Sequence, residues 1–277
     1  MPFGYCLNTS TIKGQNLSLL EEIAITAEAG YGGIEPWVSE LDAYVEGGGD
    51  LDALGRRIAD AGLEVPNVIG FFEWAVDDGA RRAQGLREAR RNLEQARRIG
   101  ARRLAAPPMG ITGGGVNLDA VAERYAALLA IGEEYGVTPM LEFWGMSKSL
   151  GRLSEALYIA AETGRRDACL LADVFHIYKG SGNFAALRLL GPDTLGLFHV
   201  NDYPADPPRA VITDAARVFP GDGIAPLGQI FADLARAGFT GMLSLELFNP
   251  TYWAMDAREA AMMGLAKLKA VMESSTK

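Results

Sequence analysis

The chain has 277 residues, nearly half of them hydrophobic, and a formal net charge of −9. This length suits one large α/β domain or two small ones. The negative charge argues against nucleic acid and anionic membranes as partners, since both are bound through clustered Lys and Arg. No stretch approaches the ~18 apolar residues of a membrane span. The start "MPFGYCLNTS" lacks a leader pattern, so a cytoplasmic protein is expected.

Eight short apolar segments are predicted to be β-strands. Their ranges are 3–8, 32–37, 64–70, 102–108, 138–143, 169–173, 195–200 and 242–247. Eight amphipathic segments alternate with them and are predicted to be helical. Their ranges are 18–30, 50–62, 80–99, 117–135, 154–163, 183–190, 225–238 and 256–274. No change in composition marks a linker, so residues 1–277 are predicted to form one domain.

Eight strand–helix units in this length predict a closed (β/α)8 barrel, the TIM barrel of the α/β class. A doubly wound open sheet is the alternative. That fold usually carries a glycine fingerprint after its first strand, and "CLNTSTIKG" has none. The two cysteines, Cys6 and Cys169, lie in apolar segments and are expected to be buried thiols rather than a disulfide.

The last four predicted strands each carry a polar residue near their carboxyl end. These residues are Glu142, Asp173, His199 and Glu246. Reacting groups of TIM barrels lie at this end of the strands, and an isolated carboxylate there is costly to bury. Four groups that meet at the barrel mouth can share one divalent cation, and this set suits Mn²⁺, Mg²⁺ or Co²⁺, with Zn²⁺ also acceptable. The alternative is four separately hydrogen-bonded polar groups.

Other residues near the strand ends are candidates for binding a substrate. His176 lies just past the strand that ends at Asp173, and Arg217 lies in a long loop typical of a lid. Glu35 and Asn67, near the ends of the second and third strands, are weaker polar candidates. Aromatic residues that follow the strands are candidates for a pocket wall, and they are Trp37, Phe71, Phe72, Trp74, Trp144, Tyr252 and Trp253.

The order Glu…Asp-x-x-His…His…Glu resembles that of the xylose-isomerase-like TIM-barrel sugar isomerases and epimerases. The segments "ALLAIGEEYGVTPMLEF", "LADVFHIY", "HVNDYP", "TDAARVFPGDG" and "SLELFNPTYW" are most similar to the inosose isomerase and ketose 3-epimerase branch. The resemblance implies that Glu142, Asp173, His199 and Glu246 hold one metal ion. It also implies that Glu142 and Glu246 act as acid and base, and that His176 and Arg217 contact substrate oxygens.

Such a site favours enolisation of a ketone. With the ketone oxygen held on a cation, a carboxylate can remove the neighbouring C–H proton to give an enediolate. Return of the proton to the other carbon isomerises the substrate, and its return from the opposite face epimerises it. No phosphate site is evident, so the predicted substrate is a keto-inositol or an unphosphorylated keto-sugar.

Two other functions remain open at this stage. Loss of a β-substituent from the same enediolate would make the protein a lyase, either an inosose dehydratase or a 3-keto-glycoside-cleaving enzyme. A non-catalytic sugar-binding subunit is the second alternative. Relatives of this kind are often dimers or tetramers, which leaves a homo-oligomer open by analogy.

Overall fold

A computed structural model, which describes residues 3–274, contains seven strands in one parallel sheet. The strands are β1 Gly4–Asn8, β2 Gly33–Glu35, β3 Arg103–Ala106, β4 Thr138–Glu142, β5 Leu170–Asp173, β6 Leu195–Val200 and β7 Met242–Leu245. Their order in the sheet is β2-β1-β7-β6-β5-β4-β3. Because all pairs are parallel, the carboxyl ends of the strands lie on one rim.

Residues 64–69 join the two edge strands and close the sheet. Glu64 forms a parallel bridge to Gly33 of β2, and Val68 forms one to Leu104 of β3. Pro66 lies between these bridges and has no N–H to donate, so the segment forms isolated bridges in place of a continuous ladder. The predicted (β/α)8 barrel is therefore confirmed, with its third strand reduced to these bridges, and the open-sheet alternative is wrong.

Helices surround the barrel. They are α1 Leu19–Ala29, α2 Val38–Glu46, α3 Leu51–Asp60, α4 Gly79–Arg98, α5 Leu118–Tyr135, α6 Leu153–Glu162, α7 Val174–Gly180, α8 Leu227–Arg236, α9 Pro250–Trp253 and α10 Ala257–Ser274. Short 3-10 helices occupy Thr9–Gln15, Phe184–Leu189 and Asp214–Ala216. The helix predicted at 183–190 is thus a 3-10 helix. The sequence pattern did not predict α2, α7 or α9, which come soon after β2, β5 and β7, respectively.

Local sequence signals set the ends of α1. The Ser18 side chain accepts a hydrogen bond from the Glu21 backbone N–H, and the Glu21 carboxylate accepts one from the Ser18 backbone. This reciprocal capping box satisfies N–H groups that have no partner within the helix. At the other end Gly30 adopts φ +89°, a left-handed conformation that glycine takes without steric cost.

Alternate residues of each strand face the inside of the barrel. Met140, Leu171 and Leu197 belong to a small apolar cluster there, separate from the large core that packs the sheet against the helices. Residues two positions further along the same strands face inward as well, at the carboxyl rim. They are Glu142, Asp173 and His199.

Both cysteines, Cys6 and Cys169, are buried free thiols, as predicted. Among residues 3–274, no helix has the length and apolar composition needed to cross a membrane. The single domain over residues 1–277 and the cytoplasmic location stay predictions.

Candidate active site

A cavity of about 430 Å³ opens at the carboxyl rim of the barrel. Its polar side chains are Glu142, His176, Asp214, Arg217 and Glu246. Most of the remaining wall is apolar and includes Trp37, Ile69, Phe71, Trp144, Met146, Phe248, Pro250 and Trp253. The cavity therefore contains both predicted acid/base residues, together with the predicted substrate contacts His176, Arg217 and Trp253.

Three of the four predicted metal ligands meet beside this cavity. One ligand atom from each of Asp173, His199 and Glu246 lies within 4.8 Å of the others, and all three residues are buried. The strand register brings them together, because Asp173 pairs with His199 across β5 and β6. His199 in turn pairs with Ser244, two residues before Glu246.

Glu142, the fourth predicted ligand, lies outside that group of three. It ends β4, lines the cavity and accepts a hydrogen bond from Trp144 Nε1 at 3.0 Å. Burial raises the pKa of Glu142 to about 8; the charges of Glu246 and Asp173 add to this effect, and His199 opposes it. Glu142 therefore stays protonated near neutral pH, and its metal-binding role stays a prediction.

The geometry of His199 tests whether a cation fits here. Its Nε2 lies 2.9 and 3.0 Å from the two carboxylate oxygens of Glu35, which accept its proton. Its Nδ1 is buried without a hydrogen-bond partner among the described residues, 3.2 Å from Glu246 Oε2 and 3.7 Å from Asp173 Oδ2. A ring nitrogen facing two carboxylates, fixed by a third carboxylate behind it, is a donor set that suits a divalent cation.

Glu35 and Asn67 lie beneath this cluster and do not line the cavity, which corrects their predicted role as substrate contacts. Glu35 is fully buried, and its oxygens accept hydrogen bonds from Asn8 at 2.9 Å, Asn67 at 2.7 Å and Ser244 at 2.6 Å. These bonds, together with the contact to His199, use the acceptor capacity of the carboxylate. Both residues therefore hold the imidazole in place from inside the barrel.

Arg217 reaches the cluster from the long loop after β6. Its side chain is 1% exposed, and Nη1 donates to Asp173 Oδ2 at 2.9 Å and to Glu246 Oε2 at 2.8 Å. Nη2 pairs with Asp214 in the same loop. The guanidinium lies over two aromatic rings, those of Phe175 and Phe248. The lid residue predicted to meet a substrate is thus anchored at the cavity floor.

His176 lies where the sequence predicts, in the first turn after β5. Asp173 Oδ1 accepts a hydrogen bond from the His176 backbone N–H at 2.8 Å and so caps α7. The imidazole Nε2 lies 3.4 Å from Arg217 Nη2, while Nδ1 has no hydrogen-bond partner among residues 3–274. Burial lowers the pKa of His176, which favours a neutral ring next to the cavity.

The two candidate acid/base carboxyls have opposite pKa shifts. For Glu246, burial acts to raise the pKa, but in the metal-free site a protonated His199 ring and the Arg217 guanidinium outweigh it and lower the pKa below its usual value. A cation bound at His199 Nδ1 would replace that proton and act on Glu246 in the same direction. Glu142 has a raised pKa, as described above. One carboxylate and one carboxylic acid therefore face the same cavity near neutral pH, an arrangement that can remove a proton and return one.

Sequence reasoning missed several residues of the site. Asn8 is the last residue of β1 and donates to Glu246 Oε1 at 3.1 Å; the strand-end rule applied to the late strands would have found it. Asp214 and Ser244 have no local signal, because their partners are far away in sequence. Among the aromatic residues predicted to form the pocket wall, Phe72 and Trp74 are fully buried and belong to the core instead. Tyr252 stacks on Phe219 outside the cavity wall.

We expect Ser244→Ala to destabilise the fold by about 1–3 kcal/mol, because a fully buried carboxylate of Glu35 then loses its 2.6 Å donor. Urea unfolding monitored by circular dichroism measures this change. Ser274→Ala, which removes an exposed hydroxyl at the end of α10, is the control and should stay within about 0.5 kcal/mol of the parent. Equal stability of the two variants would contradict the importance of this hydrogen bond.

Comparisons with known proteins agree with this geometry. An inosose isomerase of Bacillus velezensis is 27% identical over 262 residues, which cover 92% of this chain and 91% of the relative. A 3-dehydroshikimate dehydratase of Pseudomonas aeruginosa is 26% identical over 91% of this chain and 39% of the relative. The crystal structure of the IolI protein with a zinc atom matches at a TM-score of 0.90 and 23% identity, over 99% of both chains.

The family comparison covers most of the sequence. Residues 23–271 match the family described as Xylose isomerase-like TIM barrel. This match agrees with the parallel barrel and confirms both the fold class and the family that the strand-end motifs predicted. The chain therefore belongs to the xylose isomerase-like TIM barrel family.

Proposed function

We propose that the protein is a divalent-metal-dependent enzyme that isomerises or epimerises a keto-inositol or an unphosphorylated keto-sugar. The observation that carries this proposal is the buried His199 Nδ1, which faces Glu246 Oε2 at 3.2 Å and Asp173 Oδ2 at 3.7 Å next to a cavity with a further carboxyl group. The inosose isomerase relative supports a sugar or cyclitol isomerase. The IolI structure, which has the same fold, contains a zinc atom, in agreement with a metal-binding protein.

Asp173, His199 and Glu246 would hold the metal ion, and Glu142 would join them as a fourth ligand in the steps in which it has given up its proton. The oxygen-rich set suits Mn²⁺, Mg²⁺ or Co²⁺, and the imidazole makes Zn²⁺ equally acceptable. When bound, this ion supplies Lewis-acid polarisation of a substrate carbonyl.

The side chains of the cavity would move the proton. Glu246, ionised near neutral pH, takes the proton from the carbon next to the carbonyl, and the electron pair of that C–H bond forms the enediolate. Glu142, protonated under the same conditions, donates a proton to one of the two carbons, and Glu246 afterwards passes its proton back to Glu142 through substrate or water. Delivery to the other carbon, together with transfer of the hydroxyl proton from the oxygen that becomes the new carbonyl to the former carbonyl oxygen, moves the carbonyl. Delivery to the same carbon from the opposite face inverts the centre.

Three further residues would bind and orient the substrate. Arg217 and His176 lie within reach of each other and hydrogen-bond the substrate oxygens that gain negative charge. The Trp253 side chain, held by a hydrogen bond from its Nε1 to the Ser10 carbonyl at 2.7 Å, offers an apolar face to the C–H groups of a ring. The aromatic wall excludes water from the reacting carbons.

A lyase is the second candidate, because 3-dehydroshikimate dehydratases are also among the relatives. Loss of water or of another β-substituent from the same enediolate requires no additional residue. An accessory subunit that binds sugars without turnover is the third candidate. The opposite pKa shifts of Glu142 and Glu246 argue against it, because a binding protein needs no such acid and base.

Incubation with 2-keto-myo-inositol and common ketoses in D₂O, with NMR detection, tests the proposal. We expect deuterium at a carbon next to the carbonyl and a new isomer or epimer, both only with added divalent metal. Release of water or of an aglycone would instead identify a lyase. Binding of these ketones without any deuterium exchange would contradict the proposed enolisation.

A further inference from the structure

A second cavity, of about 330 Å³, lies outside the barrel. It is bordered by the 3-10 helix Thr9–Gln15, by the start of α1 and by α2. It shares no lining residue with the cavity at the barrel mouth. The oxygen-bearing and charged side chains that line it include Lys13, Glu22, Ser39, Glu40 and Tyr44.

Glu22 is the unusual residue of this second cavity. It lies on the inner side of α1, only 3% exposed, and it lines the cavity. Its Oε2 is buried and has no hydrogen-bond partner among the described residues. A buried carboxyl oxygen without a partner is unfavourable, so a missing interaction is expected at this point.

Glu40 supplies a second carboxyl group to the same cavity. It lies in the first turn of α2 and accepts a hydrogen bond from the Trp37 backbone N–H at 2.8 Å. Both of its oxygens lie 2.9 Å from the Thr9 hydroxyl, which donates to them. These donors orient the Glu40 carboxylate without supplying a positive charge.

No Lys or Arg within residues 3–274 forms an ion pair with Glu22 or Glu40. Lys13 is the only basic residue among those that line this cavity. Its Nζ lies 5.0 Å from the centre of the Trp37 ring and forms no ion pair with either carboxyl group. Two neighbouring acids therefore share a cavity without a bound positive partner.

We propose that this second cavity is a binding site for a hard divalent cation such as Ca²⁺, held by the carboxylates of Glu22 and Glu40. The lining has no His or Cys, and its donors are carboxylate and hydroxyl oxygens, the ligands that hard cations prefer. The volume leaves room for the water molecules that complete the coordination of Ca²⁺. The site differs in chemistry from the barrel mouth, where an imidazole also accommodates Zn²⁺.

The proton on Glu22 competes with a cation for the carboxyl group. Burial raises the pKa of Glu22 to about 9, the negative charges of Glu40 and Glu21 act in the same direction, and Lys13 opposes them. Near neutral pH a proton therefore occupies the carboxyl group. A cation that binds there must displace this proton, so binding should strengthen as the pH rises.

Thermal unfolding between pH 5 and pH 9 gives a first test. A carboxyl whose pKa is raised by folding stabilises the protein most at low pH, and this contribution is lost as the pH rises towards about 9. We expect the melting temperature of the parent to fall over this range and that of Glu22→Gln to fall less. Addition of Ca²⁺ should restore the parent at high pH. Absence of any Ca²⁺-dependent rise in the melting temperature of the parent at high pH would contradict the assignment.

Calorimetric titration with Ca²⁺ is the decisive experiment, performed on protein whose barrel-mouth site has first been saturated with Mn²⁺. We expect one additional Ca²⁺ per chain, with a heat that depends on the buffer because a proton is released. Glu22→Gln should lose this Ca²⁺ and keep its Mn²⁺. Glu28→Gln, a matched exposed change on the same helix, should behave like the parent.

Two further variants test the Ca²⁺ site even if Glu22→Gln fails to fold. Lys13→Gln removes an exposed cation from the cavity lining and should tighten Ca²⁺ binding several-fold. His199→Ala should retain the Ca²⁺ site, because His199 belongs only to the barrel mouth. Absence of Ca²⁺ binding to the Mn²⁺-loaded parent, unchanged affinity in Lys13→Gln, or loss of Ca²⁺ in His199→Ala would each overturn the proposal.

Discussion

Replacement of Glu246 by Gln is expected to lower turnover by about 10²–10⁴-fold, the range for loss of a positioned acid or base. The amide cannot accept the substrate proton, and it replaces a carboxylate that faces His199 Nδ1 at 3.2 Å. The fold should remain intact, because Arg217 keeps Asp173 and Asp214 as partners. Deuterium exchange at the substrate carbon, followed by NMR, measures the effect on the proton-transfer step itself.

Two comparisons make this result specific. Glu259→Gln removes an exposed carboxylate from α10 and should leave turnover unchanged. Glu142→Gln preserves a neutral side chain but removes the exchangeable carboxyl proton, so it should reduce product formation as well. Full exchange activity in folded Glu246→Gln would show that another group takes the proton.

Replacement of His199 by Ala is expected to remove most of the bound metal ion. The change deletes the only nitrogen of the three-residue cluster and leaves Asp173 and Glu246 with Arg217 as their cation. Elemental analysis of protein purified from metal-supplemented medium, and then dialysed, measures the metal per chain. The parent should approach one ion at this site, and the variant should hold far less.

The other histidine of the chain provides a matched control. His176→Ala should retain the metal while it weakens substrate binding, because the His176 side chain contacts Arg217 and not the three-residue cluster, and the backbone hydrogen bond to Asp173 does not depend on that side chain. Glu35→Gln should weaken the metal about 10–100-fold, since Glu35 orients His199 without touching the ion. Equal metal content in His199→Ala and the parent would remove His199 from the ligand set.

Much of the barrel could be predicted because its signals are local. Apolar strand segments, capping residues and terminal glycines recur along the chain, and α1 shows all of them in one unit. The segment 64–70 has the same apolar composition, yet Pro66 limits its pairing to isolated bridges. Helix α7 was missed because it begins directly after β5, where the sequence pattern offers no turn to mark the boundary. Helix α2 was missed because only Pro36 and Trp37 separate it from β2, and both fall within the predicted second strand.

The site could be predicted to the extent that strand direction determines it. Parallel strands bring their carboxyl ends to one rim, which is why Asp173, His199 and Glu246 meet there. Strand direction does not predict how deeply a given side chain is buried at that rim. Glu35 and Asn67 also follow the strand-end rule, but both are fully buried and neither is among the residues that line the cavity. Contacts between distant segments, such as Arg217 with Asp214 and Glu246, depend on how the loop folds back.

Residues 64–69 close the barrel through isolated bridges only, so this segment is the least regular part of the sheet. Ile69 belongs to this segment, Trp37 forms a bridge to it, and both residues line the cavity. The candidate metal ligands Asp173, His199 and Glu246 lie on or directly after β5, β6 and β7, each of which pairs with a strand on both sides. The least regular segment of the barrel therefore borders the apolar wall of the cavity, whereas strands paired on both sides carry the candidate ligand atoms.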